Sequence, residues 1–140
     1  MPDHQHQFDI PMQVRDYECD TQRVVNNVNY LSYLDHGRQQ SLALLFGQHY
    51  NQFDFHRHLT VTNVELNYLA PLTLGDQFVI HVILRRDTPN QLKFQQSIVR
   101  QSDGKPILNG ALTCSIHTGQ EHADFVTTLD QLWHDAPSRA

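Results

Sequence analysis

The chain has 140 residues, of which 39% are hydrophobic, enough for one globular domain with a real core and too few for a second. Its formal charge of −5, from 10 Lys and Arg against 15 Asp and Glu, provides no basic field for a nucleic-acid backbone, and no like-charge run changes that. No apolar stretch is long enough to cross a bilayer, and the N-terminus MPDHQHQFDI has no secretory pattern, so a cytoplasmic protein is expected.

Phe8, Ile10, Met12 and Val14 alternate with polar residues and predict a strand, with Pro11 marking a sheet edge or an irregularity. A polar stretch around Asp20 follows. Tyr30, Leu31, Tyr33, Leu34, Leu42, Leu44, Leu45 and Phe46 then recur at helical spacing around much of a helix, predicting a largely buried element that stops near Gly47. Gly37 weakens that helix intrinsically, which predicts close approach of another backbone.

From Leu59 the period becomes two. Leu59 and Val61 share one parity and Val64, Leu66 and Tyr68 the other, as a β-bulge near Asn63 would produce. Three more strands are marked by Phe78 to Leu84, Leu92 to Ile98 and Leu108 to Ile116. Turn residues separate them: Ala70-Pro71 with Gly75-Asp76, then Asp87-Thr88-Pro89-Asn90, then Ser102-Asp103-Gly104-Lys105. Phe125, Val126, Leu129, Leu132 and Trp133 predict a terminal helix over about 126–134. A strand, a long helix and four successive strands define an α+β domain with an antiparallel sheet and one helix against it. One helix covers one sheet face, so self-association is expected to protect the rest.

Two cysteines are too few for a disulfide scaffold. Cys114 alternates with core positions and reads as a small buried residue, while Asp20 beside Cys19 opposes thiolate formation. The ten histidines fall in no metal-binding frame: His4 and His6 read as a mobile terminus, His56 and His58 as exposed side chains, and no metal is expected.

Chemistry concentrates between Arg15 and Arg38, where one acid, Asp20, precedes the start of the apolar helix. A helix start gathers unpaired N–H groups and partial positive charge, so a carboxylate there can face a carbonyl polarised by those groups. Asp20, Val24, Val25, Asn26, Asn27, Tyr30, Tyr33 and Arg38 resemble the signature of hotdog-fold thioesterases of the 4-hydroxybenzoyl-CoA thioesterase type. Val64 to Leu84 is similar to that family's second and third strands, and the resemblance covers about residues 8–118 of a single domain spanning 1–140.

The resemblance implies a curved antiparallel sheet of about five or six strands wrapped around one long central helix. It implies an acyl-CoA thioesterase in which Asp20 acts as nucleophile or general base and the backbone N–H of Asn27 polarises the thioester carbonyl. Asn26 would brace the loop, cap the helix or contact substrate; Tyr30 would line the acyl slot or join the core. Coenzyme A phosphates need cations, for which Arg85, Arg86, Lys93, Arg100 and Lys105 are available, Arg85 and Arg86 being the first candidates. No cofactor is expected, coenzyme A being part of the substrate, and the expected assembly is a homodimer or homotetramer.

The departures from the family matter too. Gln22-Arg23 stands where many relatives carry Gly, and no histidine in this segment supports an imidazole-led mechanism. Hotdog hydratases need His five residues after the acid, where this chain has Val25. The competing class is a noncatalytic acyl-CoA-binding domain of the same fold.

Overall fold

The computed structural model describes residues 5–135. Five strands form one antiparallel sheet in the order β1-β3-β4-β5-β2, with β1 Gln5–Gln13, β2 Leu59–Tyr68, β3 Gln77–Arg85, β4 Gln91–Arg100 and β5 Pro106–Ile116. Helix α1, Asn27–Phe46, lies against the sheet, α2 is the short turn Phe55–His58, and α3 is Ala123–Asp135. The sheet-and-helix α+β architecture expected from the sequence is present, with five strands.

Alternation decides which sheet face is buried. Phe78, Ile80, Val82 and Leu84 of β3 point inward with Leu92, Phe94 and Ile98 of β4 and Leu112, Cys114 and Ile116 of β5. Pro11 sits on β1, an edge strand that pairs with β3 alone, where its missing N–H costs no ladder bond. The register of β2 against β5 shifts between Val61 and Asn63, the bulge that the change of parity predicted.

Helix α1 buries Tyr30, Tyr33, Leu34, Gly37, Ser41, Leu42, Leu45 and Phe46, a stripe at spacings of three and four. It is not buried all round: Val28, Leu31 and Leu44 are exposed, because the single sheet covers one side of the helix. Gly37 does mark a close approach, but to side chains rather than to a backbone. A Cβ there would stand 2.8 Å from Ile80 Cγ2 and 3.3 Å from Gln96 Nε2. Gly47 ends the helix at φ 57°, its N–H bonded to the Ala43 carbonyl.

Two histidines expected at the surface are buried. His6 lies within β1, with Nε2 3.0 Å from the Trp133 carbonyl, and His58 stacks on Phe125 with ring centroids 4.5 Å apart. Each ring pairs with an aromatic from α3, which no local pattern around the histidines announces. His4 lies outside the described residues. Helix α3 docks through Phe125, Leu129 and Trp133, with Arg86 of the β3–β4 connection 2.7 Å from Asp130. Among the described residues, His6 Nδ1, Arg86 Nε and Trp133 Nε1 are buried without a hydrogen-bond partner.

Between β1 and α1 the chain makes a 3₁₀ turn, Asp16–Glu18, and a small hairpin. Cys19 bridges Val25, and the Asp20 N–H bonds the Val24 carbonyl at 2.9 Å. The hairpin turns through Arg23 at φ 65°, the one non-glycine in the left-handed region among the described residues. The sequence lacks glycine where the backbone has most use for it. Arg23→Gly is therefore expected to fold with no loss of stability, whereas the β-branched Arg23→Val loses about 1–2 kcal/mol in denaturant titration.

His58 yields a second prediction. Burial lowers its pKa below the usual 6.5, reinforced by His122 and Arg57 and opposed by Asp54. The folded state thus resists protonation of this ring, so its contribution to stability is complete above pH 6.5 and lost as pH falls through the lowered folded pKa. The melting temperature should drop from pH 7 to pH 5, less steeply in His58→Gln; equal slopes would remove His58 as the source.

Candidate active site

The hairpin and the start of α1 bring Asp20, Asn26 and Asn27 into one junction. Asp20 is exposed, and its carboxylate is held by the chain itself: Oδ1 accepts the N–H groups of Gln22 at 2.8 Å and Val24 at 3.2 Å. Both bonds fall on Oδ1. The other oxygen, Oδ2, has no partner among the described residues, which leaves an oriented carboxylate with one oxygen open to solvent.

Asn26 is the N-cap of α1 by position, with φ −65° and ψ 142°, but its side chain makes no capping bond. Its N–H reaches the Glu18 carbonyl at 3.2 Å, and its carbonyl accepts Asn29 N–H at 2.9 Å. The N–H of Asn27, the first residue of the helix, has no partner among the described residues, as the first turn of an uncapped helix dictates. The hairpin strand that carries Asp20 is tied to this helix start by the Cys19–Val25 bridge and by the Asn26 N–H bond to Glu18.

Tyr30 lies behind this junction. It is buried, its ring edge-on to Tyr33 and Tyr68, and its hydroxyl accepts Leu72 N–H at 2.8 Å. That bond ties α1 to the β2–β3 connection, which in turn holds the hairpin through Val25 N–H to the Leu72 carbonyl and Leu74 N–H to the Arg23 carbonyl. Burial raises the Tyr30 hydroxyl pKa, keeping it neutral. Cys19 is likewise kept a thiol, by desolvation and by the carboxylates of Asp20, Glu18 and Asp16, in line with its sequence reading.

Arg85 and Arg86 are not brought to this junction. They sit at the far end of β3, whose near end follows the turn that braces the hairpin, a strand length of roughly 27 Å away. Arg85 pairs with Asp87 at 3.1 Å, and Arg86 is committed to Asp130 and the Pro89 carbonyl. Arg23, exposed in the hairpin, has no ion pair among the described residues.

An apolar groove runs along α1 on the β2 side. Leu31, Leu34, Val61, Val64 and Leu112 line a cavity of about 270 Å³. Arg38, Val61 and Leu112 also line a second cavity of about 380 Å³, which extends to Tyr50, Phe53 and Phe55. The Arg38 guanidinium, lowered in pKa by desolvation, reaches Gln96 Oε1 at 2.9 Å and Asp35 at 3.5 Å between the two. Residues 47–58 carried no assignment from periodicity, because a 3₁₀ run and one turn of helix are too short to show a period. Among the described residues no group of three His, Cys, Asp or Glu side chains is placed to hold a metal ion, and no helix is long and apolar enough to cross a membrane.

Solved structures share this architecture. A 1,4-dihydroxy-2-naphthoyl-CoA thioesterase from Synechocystis superposes with a TM-score of 0.72 at 13% identity, covering 93% of this chain and 97% of its own. The 4-hydroxybenzoyl CoA thioesterase from Pseudomonas sp. strain CBS-3 gives 0.70 at 12% identity, over 88% and 99%. Both likenesses establish the hotdog fold. Two chloroplastic acyl-acyl carrier protein thioesterases of Arabidopsis thaliana are 29% identical over 100 residues and 32% over 101, each match covering 71% of this chain. The chain spans about half, 53%, of the length of those relatives. The family model described as the thioesterase-like superfamily matches residues 14–131, and the chain belongs to that superfamily.

Proposed function

We propose that this protein hydrolyses acyl thioesters, with Asp20 and the Asn27 N–H as its reacting pair. The observation that carries the reading is the Asp20 carboxylate, fixed through Oδ1 by two backbone amides and open at Oδ2, on the hairpin that feeds an uncapped helix start. On the nucleophilic route Oδ2 attacks the carbonyl carbon and the C–S bond breaks. The thiolate leaves, and water opens the resulting mixed anhydride to regenerate Asp20 and release the acid. On the general-base route Asp20 takes a proton from water as its oxygen adds to the carbonyl; the thiolate then leaves and receives that proton. In both, the Asn27 N–H bonds the carbonyl oxygen as it gains charge. Neither route calls for a cofactor.

The groove along α1 suits an acyl chain, and Arg23 is a cation close in sequence to Asp20 for the phosphates of coenzyme A. The curated relatives are named as acyl-acyl carrier protein thioesterases and two structural neighbours as 1,4-dihydroxy-2-naphthoyl-CoA and 4-hydroxybenzoyl CoA thioesterases, so either carrier is admitted. A second copy would close the groove. Strand β2 pairs on one side only, and Val61, Val64 and Tyr68 stand exposed there beside Leu31 of α1.

Asp20→Asn and Asp20→Ala should lower kcat by roughly 100-fold or more across short, long and aromatic acyl-CoA and acyl carrier protein thioesters. Wild-type turnover in both variants sinks the assignment, while ligand affinity without turnover by the wild type favours the noncatalytic binding domain. Sedimentation should show a dimer or tetramer, shifted toward monomer in Val64→Lys with loss of activity. A fully active monomer overturns the proposed assembly.

A further inference from the structure

Glu18 is an acid in a polar connection, yet it is buried, at 8% exposure, while Asp16 and Asp20 beside it are exposed. Carboxylates are seldom withdrawn from water without a task, because withdrawal must be matched by strong hydrogen bonds. Glu18 has them. Its Oε1 accepts the Tyr33 hydroxyl at 2.7 Å and the Arg15 backbone N–H at 2.8 Å, and Arg15 Nε stands 3.5 Å from Oε2. Its carbonyl oxygen accepts Asn26 N–H at 3.2 Å and the Asn29 side-chain amide at 2.7 Å.

One residue therefore joins three things: the 3₁₀ turn, the strand of the hairpin that continues into Asp20, and the first two turns of α1. Tyr33 is the fixed end. Its ring packs against Phe78 with centroids 4.8 Å apart, so the position of its hydroxyl is set by the sheet. Burial and the adjacent carboxylate push that hydroxyl pKa far up, so Tyr33 remains the donor. The Arg15 bond alone would close the 3₁₀ turn; the bond to Tyr33 adds a reference point on the helix that no turn requires.

We infer that Glu18 and Tyr33 are positioning residues for thioester hydrolysis, holding the Asp20 hairpin at a set distance from the Asn27 amide. The inference rests on the reading of the site given above. Attack on a carbonyl polarised by one group and approached by another tolerates little error: displacement by about 1 Å costs on the order of 100-fold in rate. The clamp acts on the separation between the two groups and touches no substrate, so its loss should appear in kcat.

The test uses the full chain, with Tyr33→Phe, Glu18→Gln, Glu18→Ala and Asp20→Asn assayed on one thioester. Tyr33→Phe keeps the ring and loses only the hydroxyl; kcat should fall roughly 10- to 100-fold with KM within about twofold of wild type and with the protein folded. Glu18→Gln, whose amide oxygen still accepts from Tyr33 and Arg15, should keep most of the activity. Glu18→Ala should fall as far as Tyr33→Phe, and the double variant should fall no further. Wild-type kcat in Tyr33→Phe, or a loss that follows KM or the folded fraction, overturns the clamp. Should those results accompany an inactive Asp20→Asn, the reading of the site stands and the clamp alone fails; an Asp20→Asn variant with wild-type kcat removes both.

Discussion

The contact of α1 with the sheet at Gly37 is the constraint on which the remaining structure depends. Glycine in a helix costs about 1 kcal/mol against alanine. Here it lets the helix settle within van der Waals reach of Ile80 and Val82, at a depth where a Cβ would stand 2.8 Å from Ile80 Cγ2 and force that side chain or the helix to shift. At the same place Gln96, buried on the inner face of β4, donates to the Leu34 carbonyl at 2.9 Å and accepts from Arg38. A polar side chain so deep is tolerated because its donor and acceptor are each engaged. The apolar approach sets the depth of the helix, and the amide sets its position along the strands. With α1 so placed, its N-terminus falls beside the hairpin and its outer side beside β2.

The two sheet edges are managed differently. On β1, Pro11 withholds a donor, and His6 and Phe8 turn inward against the core. On β2 the bulge displaces the register, and the strand leaves Val61, Val64 and Tyr68 in solvent, which is unusual for an edge that must stay unpaired. The apolar groove opens on this same side. Exposed apolar surface, an unsatisfied strand edge and a ligand-sized cavity thus coincide along one flank, and Leu31 of α1, exposed to solvent, lines that cavity.

Much of this architecture was legible because it rests on period and punctuation. Strands were marked by alternation, turns by their Gly, Pro and Asp residues, and the bulge by a change of parity at Asn63. The hairpin and helix start around Asp20 were legible in outline, because a polar stretch ahead of an apolar helix marks where the helix begins. What escaped depends on partners distant in sequence. Glu18 looks like a solvated loop acid until Tyr33 folds back onto it, and His6 and His58 look like exposed side chains until α3 covers them. Arg85 and Arg86 look available for phosphates until β3 carries them to the far end of the sheet. Side-chain pairing across elements leaves no period, so composition and spacing are silent about it.

The docking of α3 shows what such long-range pairing leaves behind. Phe125, Leu129 and Trp133 are fully covered, yet the same interface traps His6 Nδ1, Arg86 Nε and Trp133 Nε1 without partners, each at a cost of about 1–3 kcal/mol. The apolar gain is offset in part by polar atoms that water would satisfy at once if the helix lifted. Lifting α3 would break none of the bonds that pair the strands, since the helix contributes nothing to the sheet order β1-β3-β4-β5-β2. The terminal helix is thus a cover whose removal returns three stranded polar atoms to water and leaves the strand pairing beneath it intact.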